Sequence, residues 1–200
     1  MKIHRLIILT LTLIFAGVSQ AVQAQEYTTN LEAHVHGVSE LTLVIADDTL
    51  EIQFTSPAFN LLGFEHKAAA IADIAAVETT QTTLLKHDSL FLMSESDCSH
   101  IKTSIDVSDL LAINSHEKSH HHSPAGHKHE QHQDDPQNDS HSVIVANYRY
   151  HCDNKLALAA ITVALFEFFP GIHKIHAIWV TQTQQGALTL RPSNRIIQLR

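Results

Sequence analysis

From Ser39 to Thr55 apolar residues recur at every second position: Leu41, Leu43 and Ile45, then, after Asp47-Asp48, Leu50, Ile52 and Phe54. A strand repeats its side-chain direction every two residues, so this run predicts a hairpin with one buried face and Asp47-Asp48 as its turn. Ser56-Pro57 reads as a helix start, an N-cap followed by an N1 proline, and Gly63 as a left-handed stop for that short helix. The spacing of Ala68, Ile71, Ile74 or Ala75, and Val77 predicts a second helix over 67–86 with those residues inward. Its Thr-rich end, TTQTT, is weakly helical.

Short strands are expected at 89–93 and 100–107, on either side of Cys98. Residues 114–142 then lose the apolar pattern, mixing His, Asp, Gln and Ser with two prolines, which predicts a disordered insert. Pattern returns with a strand at 143–152, followed by Asp153 or Asn154 as the cap of an apolar helix over 155–169 that Pro170-Gly171 ends. The run from Leu156 to Phe169 contains Thr162 and Glu167 and is shorter than the roughly 20 residues of a membrane span, so it reads as a buried helix. A last hairpin, 173–182 with 187–190, turns at Gln185-Gly186, and a strand follows at 195–199. Neighbouring strands with short turns imply an α+β fold, an antiparallel sheet covered by helices, split into 25–113 and 143–200 by the insert 114–142.

The N-terminus adds a compartment. Lys2 and Arg5 precede an apolar stretch from Leu6 to Val18 and a small-residue cleavage site, Val22-Gln23-Ala24, with Ser19-Gln20-Ala21 as a second candidate. This is the build of a secretory signal peptide over 1–24, and it places the mature chain in the periplasm, starting near Gln25 with no later segment of spanning length. Loss of Lys2 and Arg5 without any acidic residue takes the formal charge from −8 to −10, which argues against nucleic acid as a partner. In an exported chain the two cysteines, Cys98 and Cys152, read first as a disulfide, the alternative being two thiolate metal ligands.

Histidine supplies the candidate chemistry. Eight of the 17 histidines fall between His116 and His141: His116, His120, His121, His122, His127, His129, His132 and His141. Neutral imidazole ligates Zn²⁺, Cu²⁺ and Ni²⁺, and Glu130, Asp134 and Asp135 add negative charge that concentrates cations. Ligands on a flexible chain bind weakly and exchange fast, because each must be ordered on binding. In the flanking segments His34 and His36 lie two apart in AHVHG, the spacing at which an extended chain points both rings to one side. Glu65-His66, after the glycine turn, offers a further imidazole, with Glu65 as a carboxylate that completes or orients such a site. His100, His151, His173 and His176 read as core or surface residues. The sequence has no GxSxG, HExxH, P-loop or dinucleotide motif, and it is read as a non-enzyme.

Taken together, AHVHGVSELTL, SPAFNLLGFEH, the histidine-rich insert and YRYHC…LFEFFP resemble the zinc-regulated periplasmic accessory proteins of Gram-negative bacteria (ZrgA-like), long described as a domain of unknown function. The resemblance rests on His34, His36, Ser56, Pro57, Asn60, Gly63, Glu65, His66, Cys98 and Cys152, of which only the histidines and Glu65 are ligand types. It implies a periplasmic Zn²⁺-binding protein, made under zinc limitation, that assists the substrate-binding protein or permease of an ABC-type zinc importer. The insert departs from the family, being diluted by Ser, Gln and Pro.

Two other roles compete with this expectation. One is a copper or nickel buffer or resistance protein, since imidazole sites hold Cu²⁺ more tightly than Zn²⁺. Met93 is the only methionine after the initiator, which argues against a Cu⁺ site built on several thioethers. The other is a transporter-interaction module in which the histidine tract is only a spacer.

Overall fold

The computed structural model describes residues 35–93, 96–111, 141–154 and 158–199. The expected signal peptide and residues 114–140 of the insert lie outside the described residues. The alternating run forms the expected hairpin, β1 (Val38–Ala46) and β2 (Thr49–Pro57), in which Leu41 faces Phe54, Leu43 faces Ile52 and Ile45 faces Leu50. All six are buried. Burying a side chain of this size stabilises the fold by about 1.5–3 kcal/mol, so the register that keeps these six inward is strongly specified. Asp47 turns the chain at φ 52°, a conformation that Asp tolerates better than most residues.

The hairpin is the centre of a larger sheet. β4 (Cys98–Asp106) and β5 (Val143–Cys152) extend it on one side, and β7 (Lys174–Val180) and β8 (Gln185–Leu190) on the other, in the order β4-β5-β2-β1-β7-β8. The pairs are antiparallel except β1 with β7, which run parallel. A second sheet of β3 (Phe91–Met93), β6 (Ala160–Val163) and β9 (Ile196–Gln198) supplies Phe91, Ile161, Val163 and Ile197 to the same core. There the Phe91 ring meets Tyr148 edge-on at 5.0 Å. The helices are few and short: α1 (Ala58–Leu62), α2 (Ile71–Leu84), α3 (His87–Leu90) and α4 (Leu165–Phe168). No helix among the described residues is long and apolar enough to cross a membrane.

The α+β fold with antiparallel-dominated sheets agrees with expectation, and four local readings are corrected. Most of the segment read as a buried helix over 155–169 is β6 followed by the single turn α4. An apolar run fits a strand or a helix equally, and pairing with β3 and β9 decides for Ile161-Thr162-Val163. Helix α2 buries Val77 as expected, but its other buried residues are Thr80 and Leu84; Ala68, also buried, precedes the helix, and Ile71 (88% exposed), Ile74 and Ala75 face outward. The Tyr148 hydroxyl, which donates to Leu84 O at 2.9 Å, ties the C-terminal end of the helix to β5. Ser56 is no helix cap: β2 continues through Pro57, and the Ser56 hydroxyl meets that of Ser39 at 2.8 Å. Gln185-Gly186 opens β8, the turn being formed by residues 181–184. Glycine is needed at 186 because a Cβ there would meet the Trp179 ring at 2.1 Å. Gly63 ends α1 in the left-handed conformation as expected, with φ 81°.

Cys98 and Cys152 stand opposite one another across β4 and β5 and form a disulfide. The bridge spans a sequence separation of 54 residues and encloses the insert. Closing a loop of that length restricts the unfolded chain. Accordingly, the Cys98→Ser/Cys152→Ser double variant is expected to lose on the order of 4 kcal/mol in urea unfolding monitored by circular dichroism. An unchanged midpoint would mean that β4 and β5 hold their pairing without the bond.

Candidate metal centre

Three chain segments, remote in sequence, meet beside the start of β1. In the first, Gly37 adopts φ 84° and turns the chain into β1 immediately after His36. A side chain would not fit here, because a Cβ would lie 2.8 Å from His173 Nδ1. The Gly37 carbonyl accepts from the backbone N–H groups of His173 and Lys174 at 2.8 and 2.9 Å, which ties this turn to β7.

The Gly37 N–H donates to Asn60 Oδ1 at 2.6 Å. The Asn60 amide nitrogen donates to Val38 O at 2.9 Å and approaches the hydroxyls of Ser39 and Ser56 at 3.4 and 3.3 Å. Asn60, Ser39 and Ser56 are all buried, and this network satisfies their polar groups. It also clamps β1 to α1, so that the His36 ring stacks on Phe59 with centroids 4.1 Å apart and planes 10° from parallel.

Glu65 follows the Gly63 stop of α1, and its backbone carbonyl accepts from the Ser142 hydroxyl at 2.8 Å. Ser142 O in turn accepts from the Ala58 N–H at 2.8 Å, so the residues entering β5 are anchored to both ends of α1. As a result His141, read from sequence as the last histidine of the insert, sits against the folded domain. His36 Nε2 lies 3.1 Å from Glu65 Oε1, and His141 Nδ1 lies 2.6 Å from Glu65 Oε2. One donor atom from each of the three residues lies within 4.8 Å of the others. The Glu65 side chain is 15% exposed, whereas His36 and His141 are 48% and 46% exposed.

Partial burial pushes the Glu65 carboxyl up, but hydrogen bonds from His141 and His36, together with their charge, outweigh it and leave the group below its ordinary value. A carboxylate held down in the folded state stabilises the fold at neutral pH, and the contribution fades as pH falls through the folded value.

The donor set suits zinc. Two imidazoles and a carboxylate are common zinc ligands, and three protein ligands leave a fourth tetrahedral position open to water or to an incoming ligand. The ring nitrogens that face Glu65 are the ones that would turn to the ion, and their neutral form is required.

Other predicted ligands are placed differently. His66 stacks on Phe64 and its Nε2 lies 3.2 Å from Asp73 in the first turn of α2, outside the cluster. His34, His116, His120, His121, His122, His127, His129 and His132 lie outside the described residues. His151 lies between Asp48 and Asp153 at 3.4 and 3.2 Å, and His176 pairs with Thr189. The sequence marked Glu65 as a carboxylate that completes or orients such a site but did not join His141 to His36. Asn60, which carried the resemblance without being a ligand type, is the buried node of the site. The phrase SPAFNLLGFEH carries the node and the carboxylate together, but no local signal connects it to residue 141.

The fold and the donors thus describe a β-rich domain with a half-exposed candidate metal centre on its surface. A family model for ZrgA family zinc uptake proteins matches residues 33–199, and the chain belongs to that family. No curated protein matches it by sequence. The family is one of zinc uptake proteins, not of enzymes.

Asn60→Ala would leave the Gly37 N–H without its partner, and the expected loss is about 2 kcal/mol of stability in thermal or urea melts, accompanied by weaker zinc binding as His36 loses its placement. Glu65→Gln should make stability less sensitive to acid below the ordinary carboxylate value of 4.5, because the group whose lowered value produces that dependence is gone. Urea melts repeated down the pH scale read this directly, and an unaltered acid limb would show that Glu65 is not the responsible group.

Proposed function

We propose that this protein is a periplasmic zinc-binding accessory protein that captures Zn²⁺ and assists ABC-type zinc import under zinc limitation. Zinc is the cargo. In this reading the N-terminal segment directs export, the histidines of the insert collect the ion through many weak contacts, and His36, Glu65 and His141 hold it on the folded domain. The observation that carries the proposal is the convergence of these three side chains from the start of β1, the end of α1 and the entry to β5. Their half-exposed placement supports exchange over permanent retention, since a structural zinc site closes all four positions with protein ligands. Membership of a zinc uptake family supports the choice of metal. His141 belongs to the end of the insert in sequence and to the folded site in space, which gives a route by which the ion passes from collector to holding site.

The test is calorimetric titration with Zn²⁺ of the mature protein, a His36→Ala/His141→Ala variant and a deletion of residues 116–139 that retains His141. The double variant is expected to lose the tightest site, and the deletion the weaker, fast-exchanging ones. Affinity should fall on acidification in each protein that still binds, because protons compete for imidazole. Retention of the tightest site in the double variant would overturn the holding role of the folded domain. Growth at low zinc, with the same variants supplied to a strain lacking the protein, reads the role in import.

A further inference from the structure

A second group of donors lies at the far end of β5. His141 precedes this strand and Tyr150 is near its end, so the two regions are separated by on the order of 25 Å. Here His87, at the start of α3, stacks face to face on His100 of β4, with ring centroids 3.7 Å apart and planes 8° from parallel. Both imidazoles stand edge-on to the Tyr150 ring, at 5.7 and 5.5 Å. These residues, with Asp88, Phe91 and Met93, line an open cleft of about 400 Å³ beside the disulfide.

Two features mark this pair. Neither ring forms an ion pair among the described residues, unlike those of His36, His66, His141 and His151, although Asp88 lines the cleft and its charge acts on His87. In addition, His87 Nδ1 and the Tyr150 hydroxyl are the two buried side-chain polar atoms of the described residues that have no hydrogen-bond partner. Tyr150 is only 4% exposed. Buried polar groups are rarely left unpaired in a folded protein, and one that is unpaired asks for an explanation.

We propose that this cleft is a second metal site, distinct from the zinc centre, that takes copper(I) with His87, His100 and the Met93 thioether as its donors. Thioether and neutral imidazole are soft and borderline ligands that favour Cu⁺, whereas the carboxylate of the zinc centre favours a harder ion. Cys98 and Cys152 are joined to each other and supply no thiolate. His100 Nε2 already meets Thr103 Oγ1 at 2.8 Å, an arrangement that leaves Nδ1 to ligate and orients the ring through the opposite nitrogen. Ligation by His87 Nε2 leaves Nδ1–H to donate to the Tyr150 hydroxyl, which pairs the two unpartnered atoms with each other. The stacked rings must rotate apart for their lone pairs to converge, so binding is accompanied by loss of the stack.

The test is anaerobic titration of the full mature protein with Cu⁺ in competition with a colorimetric Cu⁺ chelator, together with copper X-ray absorption of the loaded protein. One Cu⁺ with a sulfur and two nitrogen scatterers is expected. Met93→Leu, which keeps the side-chain volume, should remove the sulfur scatterer and weaken the site about tenfold or more while leaving the Zn²⁺ isotherm unchanged. His87→Ala/His100→Ala should abolish this Cu⁺ equivalent, and His36→Ala/His141→Ala should spare it. Nitrogen-only coordination in the native protein, or identical Cu⁺ affinity in native and Met93→Leu proteins, would overturn the proposal.

Discussion

The side chain of Asn60 holds together the parts of the molecule on which the candidate zinc centre depends. It sits at 3% exposure and bonds Gly37 and Val38 at the start of β1 while contacting Ser39 and Ser56 on the paired strands. Away from water each of these polar groups costs about 1–3 kcal/mol if unpaired, so the network tolerates one arrangement of α1 against β1 and few others. Gly171 contributes by absence: a Cβ there would come within 2.4 Å of Asn60 O. With α1 fixed, Phe59 presents a flat surface for His36, and Gly63 turns the chain so that Glu65 faces the same point.

That geometry makes Glu65 a shared acceptor. Each of its two oxygens faces one imidazole, and the carboxylate is the least exposed of the three side chains. A zinc ion would replace the two hydrogen bonds with coordinate bonds from the carboxylate and the half-exposed rings. A site of this kind suits an ion that arrives and leaves. Its rigidity comes from the buried backbone behind it, which lets the donors remain accessible at little cost to their placement.

β5 connects the functional features of the molecule. Its entry carries His141 and Ser142, its middle anchors α2 through Tyr148, and its end carries Tyr150 and the Cys152 half of the disulfide. The strand pairs with β2 on one side and β4 on the other along nearly its whole length. Its inward side chains alternate, from Ile144 to Cys152, and all are buried. Such a strand is a rigid spacer between the cluster of His36, Glu65 and His141 and the stacked pair of His87 and His100.

Much of the fold was legible locally. The β1–β2 hairpin, the Gly63 stop, the β5 strand and the pairing of the two cysteines follow from alternation, turn chemistry and export, all expressed by neighbouring residues or by composition. The apolar stretch ending at Phe169 was misread because hydrophobicity reports burial and not the partner that does the burying. Of the residues expected on the inward side of α2, Val77 is buried while Ile71 and Ile74 are exposed, for the same reason. Of the candidate site, His36 and the Glu65-His66 pair stood out by spacing, and the structure keeps His36 and Glu65 together while turning His66 toward Asp73. What the sequence determined by itself was which residues can hold a metal ion and which faces must be buried, since both are properties of side-chain chemistry and short-range periodicity. Only the tertiary structure decided which side chains meet: His36, Glu65 and His141, or the stacked rings of His87 and His100, are joined by long-range strand pairing and by one buried amide, neither of which leaves a periodic trace in the chain.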